Sequence, residues 1–318
     1  MASFHVLLSS TRAYRQLPEP YMQLHTQLSS YFAASPARRY AQLQSNRYAC
    51  PMRLATWNVN SIRARIDRVI AFLERSDTDV LAMQEIKCRP DQFPTEAFTQ
   101  AGYEVVAHGL NQWNGVAIAS RIGLSDVVHQ FPGQPTWAAK ADQDGVVEAR
   151  ALAATCAGVR VWSIYAPNGR ELDHPHYRYK LDWFAALRQD VAESLAQAPE
   201  QKTIFVGDWN VAPLDTDVWD IAAWEGKTHV SAPERAAFAS LEQAGLVEIT
   251  RPLAQGYTYW DYKGLAFPKN KGMRIDFMLA SPALAQLATS VVIDRDERKG
   301  KGASDHVPVI VDFDLDAN

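Results

Sequence analysis

The sequence predicts an α/β fold in which two β-sheets pack face to face and the helices lie outside them. Many short apolar runs, rich in Val, Ile and aromatic residues, are separated by Gly and Pro, which is the pattern of short strands. Only a few longer runs have the apolar spacing of helices, so a strictly alternating, doubly wound sheet is not favoured. The chain has 318 residues, of which 47% are hydrophobic, and it can therefore bury a large core.

The strands are predicted from runs of β-branched and aromatic residues that end in turn residues. In chain order they span residues 54–59, 80–83, 103–107, 115–120, 146–154, 159–165, 203–206, 275–280, 290–293 and 307–313. The helices are predicted from apolar residues that recur on one face. They cover residues 62–73, 177–195 and 233–246, and Asn60 or Ser61 can cap the first of them.

The composition narrows the classes of function. The net charge of -4 gives no basic footprint over the whole chain, so any nucleic-acid binding must come from local clusters. Cys50, Cys88 and Cys156 are widely spaced, which argues against a disulfide framework or a zinc site. No apolar run approaches the roughly 20 residues of a membrane span. We therefore expect a soluble cytoplasmic protein with no membrane partner.

Residues 1–52 differ in composition from the rest of the chain. They contain five arginines and one acid, Glu19, so their net charge is +4 and that of the remainder is -8. A basic leader with few acids is also typical of an organelle-targeting peptide. Met52 directly precedes the first predicted strand and favours a different interpretation, an upstream start codon that adds a non-catalytic extension. We expect residues 1–52 to form a basic N-terminal extension of the catalytic domain, and a disordered extension is one possibility.

Polar side chains stand at the ends of several predicted strands. Asn58 and Glu85 follow the first two strands, and Asp208 and Asn210 follow the run at 203–206. Carboxylates and amides that meet at strand ends suit a metal-assisted phosphodiesterase, because hard divalent cations take oxygen ligands. Glu85 by itself could equally be a solvated strand end.

An acid and an imidazole near the C-terminus form the second part of the predicted site. Asp276 interrupts an apolar run, where a buried acid needs a partner. His306 is a suitable partner, because a nearby carboxylate raises the pKa of an imidazole and fixes its orientation. The alternative is a histidine satisfied in the core, and the adjacent Asp305 makes that alternative less favoured.

Six segments together resemble the exonuclease III family of DNA-repair nucleases, in that family's order. The segments are residues 55–65, 81–87, 165–169, 207–213, 274–276 and 304–308. The resemblance implies a catalytic domain over residues 53–318, folded as a four-layered α/β sandwich like that of deoxyribonuclease I, with two mainly antiparallel sheets. It also implies a magnesium-dependent monomer that cuts duplex DNA 5′ to abasic sites and processes 3′ ends. In a bacterium such an enzyme is expected at the nucleoid.

The resemblance implies a metal site. Glu85 matches the principal metal ligand, and Asn58 and Asp305 match positions in or beside its coordination shell. Magnesium is the expected ion, with manganese as a substitute. The sequence has no His-rich or Cys-rich cluster, which disfavours zinc.

The resemblance also implies catalytic roles. Asp208 matches the residue that activates or orients the attacking water, and Asn210 the amide that holds the phosphate and the nucleophile. His306, oriented by Asp276, matches the imidazole that contacts the scissile phosphate. Tyr165 matches a side chain that binds this phosphate or its leaving oxygen.

Contacts to DNA are expected from three further side chains. Asn168 matches a phosphate-binding position, although some relatives have glutamine there. Lys180 is interpreted as a phosphate contact, and Arg274 belongs to the first of two basic loops, residues 263–274 and 295–301.

An apolar pocket for a flipped, base-less sugar is expected from Tyr259, Trp260, Met273 and Ile275. Aromatic residues at these positions are equally what a core contains. Met273 stands where some relatives have tryptophan, so the balance between endonuclease and exonuclease activity is left open.

Two alternative functions compete with DNA repair. The superfamily with this fold also contains lipid and inositol phosphatases, and hydrolysis of a soluble headgroup without DNA cleavage would identify one of them. A catalytically inactive DNA-binding paralogue would bind duplexes without magnesium-dependent cutting.

Overall fold

Two six-stranded β-sheets form the centre of the part of the chain that the structure describes. The computed structural model describes residues 51–138 and 144–317. The predicted N-terminal extension lies outside these residues, except for its last two, which belong to the first strand.

The strands, in chain order, are β1 (Pro51–Asn58), β2 (Val80–Gln84), β3 (Glu104–His108), β4 (Val116–Ser120), β5 (Ser125–Val128), β6 (Ala151–Cys156), β7 (Val159–Tyr165), β8 (Thr203–Asp208), β9 (Val247–Glu248), β10 (Asp276–Ala280), β11 (Ala288–Ile293) and β12 (Val309–Asp314). The α-helices are α1 (Ile62–Ser76), α2 (Thr95–Gln100), α3 (Pro175–Gln197), α4 (Ala232–Gln243) and α5 (Pro282–Ala285). Single 3-10 turns occur at Pro90–Gln92, Asp215–Asp217, Ile221–Trp224 and Arg295–Arg298.

Each sheet has one parallel pair of strands. The first sheet has the order β11-β12-β1-β2-β4-β3, and the second has the order β5-β6-β7-β8-β10-β9. Only β1 with β2 and β7 with β8 run parallel; the other described neighbours are antiparallel. The predicted fold class, with mainly antiparallel sheets, is confirmed.

The hydrophobic core separates into layers because strand side chains alternate between the two faces of each sheet. Leu54 of β1 packs with Leu152 and Ile204 of the other sheet, so these residues join the two inner faces. The neighbouring Trp57 instead packs on α1, through Phe72. On the opposite side, the second sheet is covered by α3 and α4, through the buried residues Trp183, Phe184, Leu187, Phe238 and Leu241. Each large buried apolar side chain contributes roughly 1.5–3 kcal/mol to the free energy of folding.

The structure differs from the predicted elements mainly in short or irregular segments. The strand predicted over residues 146–154 begins only at Ala151, because a turn in which the Arg150 amide donates to the Glu148 carbonyl oxygen interrupts it. The elements β5, β9, α2 and α5 were not predicted, and none of them exceeds six residues. None of the helices in the described ranges is both long and apolar enough to span a bilayer.

Gly207 of β8 leaves no room for a side chain. Its φ is +151°, and a Cβ at this position would lie 1.9 Å from the carbonyl oxygen of Ile164 on β7. We expect Gly207→Ala to lower the free energy of unfolding by about 3 kcal/mol or more, measured by urea denaturation. The control is Gly256→Ala, because Gly256 has a φ of +134° and only an ordinary contact, 3.8 Å from Ile293 Cδ1. Equal losses in the two variants would show that the clash is not the cause.

Candidate active site

The ends of β1, β2 and β8 bring three predicted site residues together. Asn58 ends β1, Glu85 follows β2, and Asp208 ends β8 in the other sheet. The Asn58 Nδ2 donates to Glu85 Oε1 at 2.8 Å and to Asp208 Oδ2 at 2.9 Å. One amide therefore holds two carboxylates that come from facing sheets.

Three of the residues around this point have left-handed backbone conformations. The φ values are 43° at Asn60, 51° at Glu85 and 51° at Asn210. Such strain persists where surrounding contacts hold it, commonly at functional sites. Here the Ser61 amide donates to the Glu85 carbonyl oxygen at 2.7 Å, and the Asn210 amide donates to Asp208 Oδ1 at 2.9 Å. These turns direct the polar side chains to one location.

The predicted pairing of His306 with Asp276 is present. His306 Nδ1 lies 2.9 Å from Asp276 Oδ2, and the Thr258 hydroxyl donates to the same oxygen at 2.6 Å. On the other side of the ring, His306 Nε2 lies 3.6 Å from Asp208 Oδ2. Burial lowers the pKa of His306, but Asp276 and Asp208 outweigh it and raise this pKa to about 10. The imidazole is therefore protonated at neutral pH, and its orientation is fixed.

Burial raises the pKa of Asp208, whereas it lowers that of His306. The carboxyl group of Asp208 is 1% exposed, and burial, with the nearby acids Asp276 and Glu85, raises its pKa despite the opposing charge of His306. A carboxylate that accepts protons near neutral pH is suited to general-base catalysis.

The carboxylates of this cluster suit a hard divalent cation, which takes oxygen ligands. Oxygens of Glu85 and Asp208 lie within 4.8 Å of each other and of a ring nitrogen of His306; the protonated imidazole itself is not a ligand. Burial opposes ionisation of Glu85, but Lys87, with its ammonium 2.7 Å from Glu85 Oε2, lowers the pKa of this acid below its ordinary value. Asn58 turns its nitrogen to the acids while its oxygen accepts from the Asn60 amide. This orientation makes Asn58 a donor to the ligands rather than a ligand itself.

Asp305 is connected to the cluster through Asn60, whose backbone amide donates to Asn58. Its Oδ1 accepts a hydrogen bond from Asn60 Nδ2 at 2.9 Å, and its side chain is half-buried. The carboxylate keeps a second oxygen for a cation or its water shell, as expected for a residue beside the principal ligand.

Tyr165 and Asn168 also reach this location. Tyr165 ends β7, and burial and the carboxylate of Glu85 raise the pKa of its hydroxyl well above the ordinary value. Asn168 Nδ2 lies 3.2 Å from Asn210 Oδ1, while Asn210 Nδ2 donates to the Ala166 carbonyl oxygen at 3.0 Å. The structure thus brings the predicted catalytic and metal residues into one cluster.

Residues 55–306 match the model of the endonuclease/exonuclease/phosphatase family. The chain belongs to this family. The match covers the strand ends that form the cluster, and it confirms the predicted family resemblance and the class of enzyme, a phosphodiester hydrolase.

Relatives within the family are similar over most of this chain. The exodeoxyribonuclease III of Haemophilus influenzae is 29% identical over 273 residues, which are 82% of this chain and 100% of the relative. Among solved structures, the 3′–5′ exonuclease of Neisseria meningitidis is 38% identical with a TM-score of 0.76, covering 83% of this chain and all of that one. An AP endonuclease from Archaeoglobus fulgidus has the same TM-score and coverage at 32% identity.

Two residues that contact the site, His229 and Thr258, were not predicted from the sequence. His229 Nε2 lies 3.1 Å from Asn210 Oδ1, and Thr228 lies beside the other ring nitrogen. Burial, together with the charge of Lys180, lowers the pKa of His229 to about 3, so the ring is neutral. His229 lies in a loop without periodicity, and the sequence offered no signal for its role. For Thr258, the second partner of Asp276, there was likewise no signal.

Lys180 differs from its predicted role. It is fully buried, with its ammonium 2.5 Å from the Glu234 carboxylate and 2.6 Å from the Asn210 carbonyl oxygen. A side chain in this position cannot reach a DNA phosphate. Lys180 instead donates to the backbone carbonyl oxygen of Asn210 and so supports the position of this site residue. The predicted phosphate contact is therefore wrong.

The role of Lys180 can be tested by stability. We expect Lys180→Met to lower the free energy of unfolding by about 3–5 kcal/mol, because it leaves Glu234 as a buried charge without its cation. Urea denaturation would measure this loss, and Lys227→Met, at an exposed lysine, is the control. Unchanged stability with weaker DNA binding would restore the original interpretation.

Arg274 is also buried, with 3% exposure. Its guanidinium donates to the Ala254 carbonyl oxygen at 2.8 Å and to the Thr250 hydroxyl at 2.9 Å. Both terminal nitrogens of the guanidinium are therefore used inside the protein, while the buried Nε has no hydrogen-bond partner. Arg274 fastens a loop, and the predicted DNA contact is wrong.

The residues of the predicted apolar pocket divide into two groups. Met273 and Ile275 are buried in one cluster, with Tyr259 packed against them. The Tyr259 ring lies 4.9 Å from the His306 ring, so this cluster borders the site. Trp260 belongs to a separate cluster and is 1% exposed, which places it in the core and not in the same pocket.

Proposed function

We propose that this chain is a magnesium-dependent DNA-repair phosphoesterase that acts on duplex DNA at 3′ ends and 5′ to abasic sites. The observation that carries the proposal is the joint position of Glu85, Asp208 and His306: two carboxylate oxygens and a ring nitrogen lie within 4.8 Å of one another. Carboxylates and a protonated imidazole in one cluster suit the hydrolysis of an anionic phosphate ester.

The side chains divide the chemistry between them. Asp208 orients the attacking water and accepts its proton, since its raised pKa suits a base. His306 directs an N–H at the phosphate, and Asp276 holds that ring in place. Glu85 would hold Mg²⁺, which when bound supplies positive charge next to the phosphate oxygens. Asn58 keeps both acids in position through its two hydrogen bonds.

Activity at 3′ ends is supported by two structures of one relative at 38% identity. One solved structure is named a 3′ phosphatase from Neisseria bound to a product DNA hairpin, and the other a 3′–5′ exonuclease. Incision at abasic sites is supported by the AP endonuclease at 32% identity. The ring of Tyr259, which is partly exposed beside His306, favours it as well.

One experiment separates these activities. Purified protein is incubated with three duplexes, which carry a synthetic abasic site, a 3′ phosphate or a recessed 3′ end. We expect cleavage or phosphate release in the presence of magnesium. Hydrolysis of a soluble inositol phosphate alone would support the phosphatase alternative, and duplex binding without any cutting would support the inactive paralogue. A particle of one-chain mass in light scattering would support the proposed monomer.

We expect a chelator to abolish all of these activities. Without the metal ion, the carboxylates of Glu85 and its neighbours repel the negatively charged phosphate, and no divalent cation compensates for this repulsion. Added magnesium should restore the rate, and manganese should substitute for it. The measurement is the initial rate against free metal concentration. Full activity in excess chelator would contradict a metal-assisted mechanism.

A further inference from the structure

A buried ion pair between Glu148 and Arg150 lies next to Tyr165. Arg150 Nε donates to Glu148 Oε2 at 2.6 Å, and the two side chains are 14% and 4% exposed, respectively. A buried ion pair is by itself weak evidence for stability, because the cost of removing both charges from water can exceed their attraction. The guanidinium also lies too deep to contact a DNA phosphate. The contacts between Arg150 and Tyr165 indicate a different role.

Arg150 contacts Tyr165 in three ways. The Tyr165 amide donates to the Arg150 carbonyl oxygen at 2.8 Å, and Arg150 Nη1 donates to the Tyr165 carbonyl oxygen at 3.3 Å. The central carbon of the guanidinium lies 5.0 Å from the centre of the Tyr165 ring, which is within the range of a cation–π interaction. Because the guanidinium is planar and permanently charged, it stacks on the ring in a defined orientation. One residue therefore holds both the backbone and the ring of Tyr165.

The segment around the ion pair is also bonded to the first sheet. The Gly115 amide, next to β4, donates to the Ala149 carbonyl oxygen at 3.0 Å. The Gly115 carbonyl oxygen accepts from the Ile86 amide at 3.1 Å, and Ile86 directly follows Glu85. A continuous set of hydrogen bonds therefore connects the strand end that supplies Glu85 to Tyr165 in the second sheet. These bonds lie outside the cluster of catalytic side chains.

We propose that Arg150 is a positioning residue, which holds the Tyr165 ring so that its hydroxyl group points at the phosphate. The inference rests on the proposed function and adds to it a residue that contacts neither the DNA nor the metal. A misplacement of about 1 Å in an active site can lower the rate by about 10²-fold, so a side chain that fixes a donor contributes to the rate. Glu148 in turn fixes the guanidinium by accepting from its Nε.

The test removes Arg150 without leaving an unpaired charge. The double variant Arg150→Met with Glu148→Gln does this, since methionine is unbranched like arginine and glutamine keeps an oxygen for Asn114. For phosphate release from a 3′ end, we expect kcat to fall about 10- to 100-fold while KM changes less than about twofold, because no contact to DNA is lost. The control is Arg160→Met, which removes a guanidinium 5.6 Å from the Trp162 ring at the other end of β7. It should keep the wild-type kcat.

A double-mutant cycle separates positioning from a general role in folding. The Arg150→Met and Glu148→Gln substitutions are introduced together into Tyr165→Phe, which lacks the hydroxyl group. If Arg150 acts through this hydroxyl group, the two substitutions should lower kcat of Tyr165→Phe less than about twofold. A general defect would instead lower kcat by the same factor in both backgrounds. Thermal unfolding verifies that each protein is folded in the assay.

Three results would overturn the inference: a wild-type kcat in the folded double variant, a wild-type kcat in Tyr165→Phe, or equal losses in the two backgrounds. The first would show that Tyr165 needs no support from Arg150. The second and third would show that Arg150 does not act through the tyrosine hydroxyl group. The proposed function fails differently, because a wild-type protein that processes none of the duplexes is not a DNA phosphoesterase. The two failures are therefore distinguishable.

Discussion

Replacement of Asp208 by asparagine is expected to lower kcat by about 10²- to 10⁴-fold, the usual contribution of a general base. Asparagine has nearly the same shape but cannot accept the proton of the attacking water at neutral pH. The free energy of unfolding is not expected to fall. Burial raises the pKa of Asp208, which means that the folded protein disfavours its charged form and a neutral residue removes this penalty. Release of phosphate from the 3′ end of a duplex measures kcat, and urea denaturation measures the stability.

The control for Asp208 is Asp215→Asn. Asp215 lies seven residues further along the chain, is 65% exposed and pairs with Arg235 at 2.7 Å. Its loss changes the charge by the same amount outside the cluster, and kcat should remain unchanged. A wild-type rate in Asp208→Asn would remove this carboxylate from the mechanism, and a loss in both variants would point to a general electrostatic effect.

Much of the fold and the central part of the site follow from local patterns in the sequence. Strands such as β2 and β8 are recognisable because apolar residues run without interruption between turn residues. Glu85 and Asp208 are recognisable because each stands where such a run ends. The convergence of these ends depends on the parallel pairs β1–β2 and β7–β8, which place carboxyl ends at one edge of each sheet.

Other parts of the site depend on partners that are distant in the sequence. Lys180 was interpreted as a phosphate contact, but its partner Glu234 is 54 residues away on another helix. The spacing around Glu234 does indicate a helix start, since Ser231 and Glu234 form a capping box. That pattern does not indicate that the same carboxylate also neutralises a buried lysine. Trp260 and Met273 are close in sequence, but whether two such residues line one pocket is decided by tertiary packing.

His306→Ala is expected to lower kcat by about 10²- to 10³-fold, the usual effect of losing one donor to the developing negative charge. This variant also leaves the Asp276 carboxylate, which is 1% exposed, with the Thr258 hydroxyl but without its cation. Stability should fall by about 3–5 kcal/mol, so the loss of rate could reflect unfolding. A second substitution, Asp276→Asn, removes the unpaired charge and separates the two effects.

In the double variant His306→Ala with Asp276→Asn, we expect the free energy of unfolding to recover while kcat stays low. The reason is that the stability defect comes from the unpaired acid, whereas the defect in rate comes from the missing imidazole. His129→Ala, at an exposed histidine, controls for loss of an imidazole elsewhere and should retain the wild-type rate. Recovery of kcat together with stability would mean that His306 only supports the fold, and that the phosphate receives its positive charge from another group.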